Sequence, residues 1–187
     1  MLNGLTLAER HGHDKAKRII VLGTVISASD AVERAVRRMV LDDYLVVSAA
    51  GDLGLDACRV SPPSEPYSFT VAASNIEEEY TKFSNIGQCV KNIAPGANVT
   101  VAHHLNNIGY RLSSGTHVAA AHVAGVAALI MAKSDNYNAI GLHARLQQIS
   151  QSNAIEKVPK YTFNQMINIV QLLNDEEEVE TLESITN

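Results

Sequence analysis

The segment SSGTHVAAAHVAGVAALIMAK, residues 113–133, says more about the fold than any other part of the sequence. From its threonine onward it is nearly all small or apolar, which predicts a helix buried on most of its sides. His117 and His122 interrupt this pattern. Two interpretations follow: a helix that carries a catalytic histidine, or a helix whose nucleophile has been replaced by a histidine. The flanking sequence has to decide between them.

The segments before this helix alternate between strand and helix signals, which indicates an α/β domain. RIIVLGTVI, residues 18–26, is a short β-branched run that suits a buried parallel strand. Residues 31–40 combine an apolar stripe with an arginine-rich face, as in an amphipathic helix. The other expected elements are a helix over residues 5–18, strands over 44–51, 67–74, within 83–96 and over 97–105, a loop over 52–66, a polar turn over 106–115, an amphipathic helix over 141–150 and a weakly structured polar end.

The composition of the 187-residue chain is that of one globular domain, with 46% apolar residues and a net charge of -5. Most of that charge comes from acidic residues 175–183, so we expect residues 174–187 to form a disordered acidic tail. The basic residues before position 40 are interleaved with acids and lack aromatic neighbours, which argues against nucleic-acid binding. No window approaches twenty apolar residues, and the start lacks the pattern of an export signal, so no membrane span is expected and the compartment is left open.

The cysteines and histidines do not form a metal-binding pattern. Cys58 and Cys89 are the only cysteines, and neither belongs to a CxxC motif, which argues against a structural zinc site. They are either two buried thiols or one disulfide. His117 and His122 are five residues apart, so on a helix they point roughly 140° away from each other, unlike the i, i+4 pair of a helical zinc site. We therefore expect no metal and no other cofactor.

The order of several motifs resembles the subtilases, the family of serine endopeptidases that includes subtilisin and proteinase K. The family has a strand ending SLGG, a strand ending AAGN, the motif DACxxSPA, a TVGAS strand and FSNxGxCVDIFAPG. The corresponding segments here are VLGT (21–24), AAGD (49–52), DACRVSP (56–62), TVAAS (70–74) and FSNIGQCVKNIAPG (83–96). The match runs from about residue 15 to about residue 173. It implies a three-layer α/β fold with a mostly parallel sheet, a partial subtilisin-like domain over residues 1–173 in which the family's N-terminal strands are missing.

This order answers the question about the histidine helix. Taken alone, residues 115–119 resemble the family's HGTHVAG motif, whose second histidine is the general base. They lie downstream of residues 83–96, however, where the family has SGTSMAxPHVAG at the start of its nucleophile helix. The resemblance therefore implies that His117 stands in the place of the catalytic serine.

Two further positions depart from the family's catalytic pattern. The AAGN asparagine of the family donates a hydrogen bond to the developing oxyanion, and Asp52 stands at that position. The aspartate and histidine motifs of the triad belong upstream, and the residues before Val21 contain neither. His11-Gly12-His13-Asp14 lacks the GTHVAG context and is interpreted as a surface segment.

Together these departures predict a subtilisin-like homologue without peptidase activity, either a pseudoenzyme or the product of a decaying gene. One alternative is a non-catalytic module that still holds a peptide or protein in a vestigial cleft. By the resemblance, the walls of that cleft would be formed by Leu22-Gly23-Thr24 and Ala49-Ala50-Gly51. A second alternative is residual serine endopeptidase activity, gained if a missing N-terminal part complements the chain.

Three smaller expectations follow from the resemblance and from local motifs. Cys58 and Cys89 match a disulfide of aqualysin-type relatives, which requires an oxidising compartment. Asn98-Val99-Thr100 is a glycosylation sequon, meaningful only if the chain enters a secretory pathway. The strand that contains Ile19, Ile20 and Val21 would be the new edge of the sheet. Because its backbone groups are built to be paired, we expect it to associate with a second copy or with a separate N-terminal fragment.

Overall fold

A computed structural model describes residues 1–11, 18–103, 105, 108–134, 137–170 and 172. The expected acidic tail and the His13-Asp14 pair lie outside the described residues. The helices are α1 (Leu2–His11), α2 (Asp30–Leu41), α3 (Thr116–Lys133) and α4 (Ala139–Gln148). The strands are β1 (Arg18–Leu22), β2 (Ile26–Ser27), β3 (Tyr44–Ala49), β4 (Val60–Ser61), β5 (Phe69–Ser74), β6 (Asn92–Pro95), β7 (Val99–Ala102), β8 (Tyr110–Ser113), β9 (Gln151–Ser152) and β10 (Gln165–Met166).

Six strands form the central sheet, in the order β1-β3-β5-β6-β10-β9. All neighbours are parallel except β9 and β10, which are antiparallel. β3 and β5 are buried along their whole length, which explains why both read as continuous apolar runs rather than as alternating strands. The sheet is therefore covered on both faces.

Helices cover the two faces of this sheet, so the fold has three layers. Leu45 and Val47 of β3 point to the face on which α3 and α4 pack, with Phe69 of β5 beside them. Tyr44 and Val46 of β3 point to the opposite face, where they contact α1 and α2. The side-chain alternation of one buried strand thus supplies both cores.

Helix α3 is the central core helix. Among the described residues it is the one helix long and apolar enough to cross a membrane by length and composition, which the sequence pattern had not suggested. Half of that stretch is buried inside the fold, where α3 packs against β1, β3, β5 and β6. A helix that packs against a sheet in the core needs the same length and apolar composition.

The structure corrects two expectations about the second half of the chain. Residues 106–115, expected to be a polar turn, include β8, which pairs antiparallel with β7. This two-stranded ribbon stands apart from the central sheet. The end of the described chain, expected to be weakly structured, adds β9 and β10 to the sheet, and β10 lies between β6 and β9. Strands of two residues are too short to show a period, so the sequence does not predict them.

β1 lies at the edge of the central sheet, as expected for the strand RIIVL. Its partner on one side is β3, in the register Arg18↔Tyr44 to Leu22↔Ser48. Ile19 and Ile20 are half-buried, and Val21 is 42% exposed. No described strand pairs with the other side of β1.

Candidate functional site

Three segments meet at one end of the sheet: the carboxyl ends of β1 and β3 and the amino end of α3. Because β1 and β3 are parallel neighbours, their carboxyl ends lie side by side. A Cβ atom on Gly23, just after β1, would lie 3.3 Å from the Cβ of His117. The Gly51 N–H, just after β3, donates a hydrogen bond of 3.0 Å to Thr116 Oγ1. The carboxyl ends of parallel strands are where α/β proteins place their ligand sites.

The carboxylate of Asp52 caps the amino end of α3. Its Oδ1 accepts a hydrogen bond of 2.7 Å from the Thr116 N–H, one of the backbone donors that a helix leaves unpaired at its first turn. Gly115, the residue before the helix, has no side chain that could do this. A negative charge is favourable at this end of the helix dipole. Asp52 therefore has a structural role that is independent of any ligand.

His117 folds back over this capped end. Its Nδ1 lies 4.0 Å from Asp52 Oδ2, an ion-pair distance when the imidazole is protonated and too long for a hydrogen bond. A Cβ atom on Gly115 would lie only 2.3 Å from the same Nδ1, so the ring takes the space above a glycine with φ of +152°. Both His117 and Asp52 are about half exposed, which leaves them accessible from solvent.

The pair of His117 and Asp52 is too small a set for a metal centre. No group of three or more histidine, cysteine, aspartate or glutamate side chains that could hold a metal ion occurs within the described residues. In that part of the chain His117 makes no hydrogen bond or ion pair with a second histidine. His122, one turn further along, places its Nδ1 3.1 Å from the Val118 carbonyl oxygen instead.

Asn85 organises the loop that carries Asp52, and the sequence analysis did not identify it. This side chain is fully buried, and its Nδ2 donates a hydrogen bond of 2.8 Å to the Ala50 carbonyl oxygen. Its Oδ1 accepts from the backbone N–H groups of Leu53 and Leu55, at 3.2 and 2.9 Å. One amide thus bridges the two sides of the loop. The signal for it was an asparagine between two large apolar residues in the segment FSNIG, residues 83–87.

The two expected walls of the cleft lie together at this end of the sheet but differ in accessibility. Leu22 is half-buried, and Gly23 and Thr24 are exposed. Ala49, Ala50 and Gly51 are buried. The backbone of this second wall is bonded within the protein, since the Ala50 N–H donates to Val71 and the Gly51 carbonyl oxygen accepts from Asn85. Only the first wall therefore has residues that solvent or a ligand can reach.

A surface cavity of about 660 Å³ lies near the loop after Asp52. Gly54 and Asn98 are among its lining residues, and none of the six expected wall residues is. At its rim Glu79 pairs with Lys157, whose ammonium group lowers the pKa of the Glu79 carboxyl. The sequence analysis did not anticipate this cavity, because its lining comes from four separate loops.

Cys58 and Cys89 form a disulfide, with a Cα to Cα distance of 5.3 Å. The bridge joins the short 3-10 turn Ala57–Arg59 to the segment that precedes β6. It lies three residues beyond Leu55, so it fixes the far side of the loop that Asn85 organises. Of the two states that the sequence left open for these cysteines, the structure has the disulfide.

Comparison with known proteins identifies the family. The family model described as the subtilase family matches residues 17–169 of the chain. The chain belongs to the subtilase family. Over 156 residues it is 35% identical to Subtilisin-like protease 1 of Trichophyton equinum, an alignment that covers 83% of this chain and 30% of that protein. Over 139 residues it is 33% identical to Alkaline serine protease ver112 of Corniculantispora psalliotae, covering 73% of this chain and 35% of that protein.

A solved structure agrees with this subtilase assignment. The crystal structure of a cold adapted subtilisin-like serine proteinase superposes with a TM-score of 0.83 at 27% identity, covering 88% of this chain and 59% of that one. The expected three-layer subtilisin-like fold is thereby confirmed. The chain spans about a third of the length of the curated subtilases it matches.

Proposed function

We propose that this subtilase homologue does not hydrolyse peptides at the amino end of α3. The position of His117 supports the proposal, because the resemblance to the subtilases places the serine nucleophile at this point. Acyl transfer needs a hydroxyl oxygen that attacks the carbonyl and a base that takes its proton. His117 presents an imidazole, and the ionisable neighbour it has among the described residues is Asp52.

Asp52 adds a second obstacle to catalysis. An oxyanion is stabilised by hydrogen-bond donors, and an ionised carboxylate is only an acceptor. Asp52 also uses the Thr116 N–H for its own hydrogen bond, so this helix donor is already occupied. A developing negative charge at this place would be repelled by the Asp52 carboxylate.

The activity test compares the wild-type chain with His117→Ser and with the double variant His117→Ser/Asp52→Asn. We expect no labelling by a fluorophosphonate probe and no cleavage of peptide anilides in any of the three, because neither change supplies a base. An active subtilase serves as the positive control, and His122→Ser, on the same helix, serves as the matched control. Turnover by the wild type would overturn the proposal. Turnover by His117→Ser without turnover by the wild type would show that the protein contains a base, and the proposal for the wild type would stand.

A second candidate function is the binding of another chain at the free edge of β1. Val21 of this strand is exposed, and the exposed residues Gly23 and Thr24 follow the strand. An extended peptide, a second copy or an N-terminal fragment could pair there through backbone hydrogen bonds, as in β-strand addition.

Val21→Lys tests this edge, since a lysine on an edge strand opposes pairing. We expect the wild type to show concentration-dependent association by light scattering, and to bind labelled extended peptides with saturable anisotropy. The association constant and the affinity for the peptides should each fall at least tenfold in Val21→Lys. Val170→Lys, also at an exposed valine, is the matched control and should behave as the wild type. A strictly monomeric wild type that binds no peptide would exclude this second function.

A further inference from the structure

One face of the ribbon formed by β7 and β8 carries two large apolar side chains that no other described residue buries. The register pairs Thr100 with Leu112 and Ala102 with Tyr110, so these four side chains share a face, here called the ribbon face. Tyr110 is 77% exposed and Leu112 is 66% exposed. An exposed patch of large apolar side chains is a liability in water unless something covers it.

Asn98 stands at the base of the ribbon. It precedes β7 by one residue, and its backbone N–H donates a hydrogen bond of 2.9 Å to Ser114 Oγ, which follows β8 by one residue. This hydrogen bond ties the two chain segments together just beyond the Val99↔Ser113 pair. Asn98 thus lies at the end of the ribbon, two residues along the chain from Thr100 of the ribbon face.

The geometry of Asn98 presents its side-chain amide to solvent. The residue is exposed and has φ of +55°, a left-handed turn conformation that asparagine tolerates better than most residues. Its Oδ1 lies 3.5 Å from Ser114 Oγ, and its Nδ2 donates no hydrogen bond to another described residue. Thr100, two residues later, is also exposed.

These residues form the sequon Asn98-Val99-Thr100, and the full sequence contains no other Asn-x-Ser/Thr. The disulfide between Cys58 and Cys89 is typical of proteins that mature in an oxidising compartment. Asparagine glycosylation takes place in such a compartment. The disulfide is therefore independent support for a compartment in which the sequon can be glycosylated.

We propose that Asn98 carries an N-linked oligosaccharide that covers the ribbon face. The co-reactant is an oligosaccharide linked to a lipid pyrophosphate. Its C1 forms a bond to Asn98 Nδ2, the C1–O bond breaks with its electron pair going to the pyrophosphate, and Nδ2 loses one proton. The carbohydrate then lies over Leu112 and Tyr110, where its C–H surfaces pack against the apolar side chains. This inference does not depend on whether the chain is catalytic.

The test expresses the full chain behind an added secretion signal in a eukaryotic secretory host. The mass of the secreted protein is measured before and after treatment with an amidase that removes N-linked glycans. We expect the wild type and Thr100→Ser, which keeps the sequon, to carry one glycan. Asn98→Gln and Thr100→Val, which lose the sequon, should carry none. Thr100→Val is nearly isosteric, so its loss of glycan is separable from a folding defect by circular dichroism. Secreted wild-type protein without a glycan would overturn the proposal.

A second measurement tests the covering of the ribbon face. Removing the glycan from the folded protein should increase binding of a hydrophobic fluorescent dye severalfold. The same removal from the variant Tyr110→Ser/Leu112→Ser should change dye binding little, because that ribbon face is no longer apolar. If deglycosylation of the wild type leaves dye binding unchanged, the glycan does not cover this face.

Discussion

Asn85→Ala is expected to lower the free energy of unfolding by about 3 kcal/mol, because one buried amide holds three backbone groups of the loop that carries Asp52. Without it the Ala50 carbonyl oxygen and the N–H groups of Leu53 and Leu55 lose their hydrogen-bond partner. The alanine leaves a space that water reaches poorly, since Asn85 is fully buried. Urea denaturation monitored by circular dichroism measures the difference.

Two variants separate the loss of these hydrogen bonds from a general effect of mutation. Asn85→Asp keeps an acceptor for Leu53 and Leu55 but places an oxygen against the Ala50 carbonyl oxygen, so it should destabilise at least as much as alanine. Asn3→Ala, at an exposed position of α1, should change the stability by less than about 0.5 kcal/mol. A loss below about 1 kcal/mol in Asn85→Ala would contradict the assigned role.

The same variant should loosen the amino end of α3. Asp52 accepts a hydrogen bond from the Thr116 N–H, and it lies on a loop whose position depends on Asn85. We therefore expect Asn85→Ala to increase the deuterium exchange rate of the Thr116 amide more than the exchange rates of the amides at the far end of α3. A uniform increase along the helix would indicate global unfolding rather than a loosened cap.

The second large effect is a loss of stability in mild acid that depends on His143. Its ring packs edge-on against Phe69, with the ring centroids 5.1 Å apart, and its buried Nε2 has no hydrogen-bond partner. Burial, with a smaller contribution from the positive charge of Lys91, lowers the pKa of His143 to about 4. The His143 side chain is half-buried, and protonation in the folded state would place a positive charge against Phe69 at a buried Nε2 that has no partner among the described residues.

The sign of the effect follows from where the proton binds. In the unfolded chain His143 titrates near its ordinary pKa of about 6.5. Between that value and pH 4 the unfolded state takes up a proton that the folded state refuses, so stability falls as the pH is lowered. Relative to neutral pH, the titration of His143 lowers the free energy of unfolding by about 2 kcal/mol at pH 5 and by about 3 kcal/mol at pH 4.

The measurement compares wild type, His143→Leu and His122→Leu by urea denaturation at pH 7, 5 and 4. The fall between pH 7 and pH 5 should be smaller by about 2 kcal/mol in His143→Leu than in the wild type. His122→Leu replaces an exposed histidine and should fall as the wild type does. Equal pH dependence in the wild type and His143→Leu would exclude a buried neutral imidazole at this position.

Much of the fold was predictable from local sequence. β3 and β5 were expected because β-branched and small apolar runs suit strands buried on both faces. α3 was expected from a continuous small and apolar composition, and β1 was expected at the edge of the sheet. β8 was not expected, because the apolar residues Tyr110 and Leu112 alternate with polar ones over only four positions. So short a run does not distinguish a strand from a turn.

The sequence by itself determined the family, the three layers and the position of His117 at the first turn of α3. Each of these depends on an ordered series of local motifs, which a chain carries whatever its tertiary contacts are. Only the tertiary structure decided that Asp52 caps α3 and that Asn85 supports the loop around it. Asp52 and Thr116 are 64 positions apart. Periodicity shows which side of an element is apolar, but which distant polar group satisfies a given backbone N–H depends on how the packed elements bring the two together.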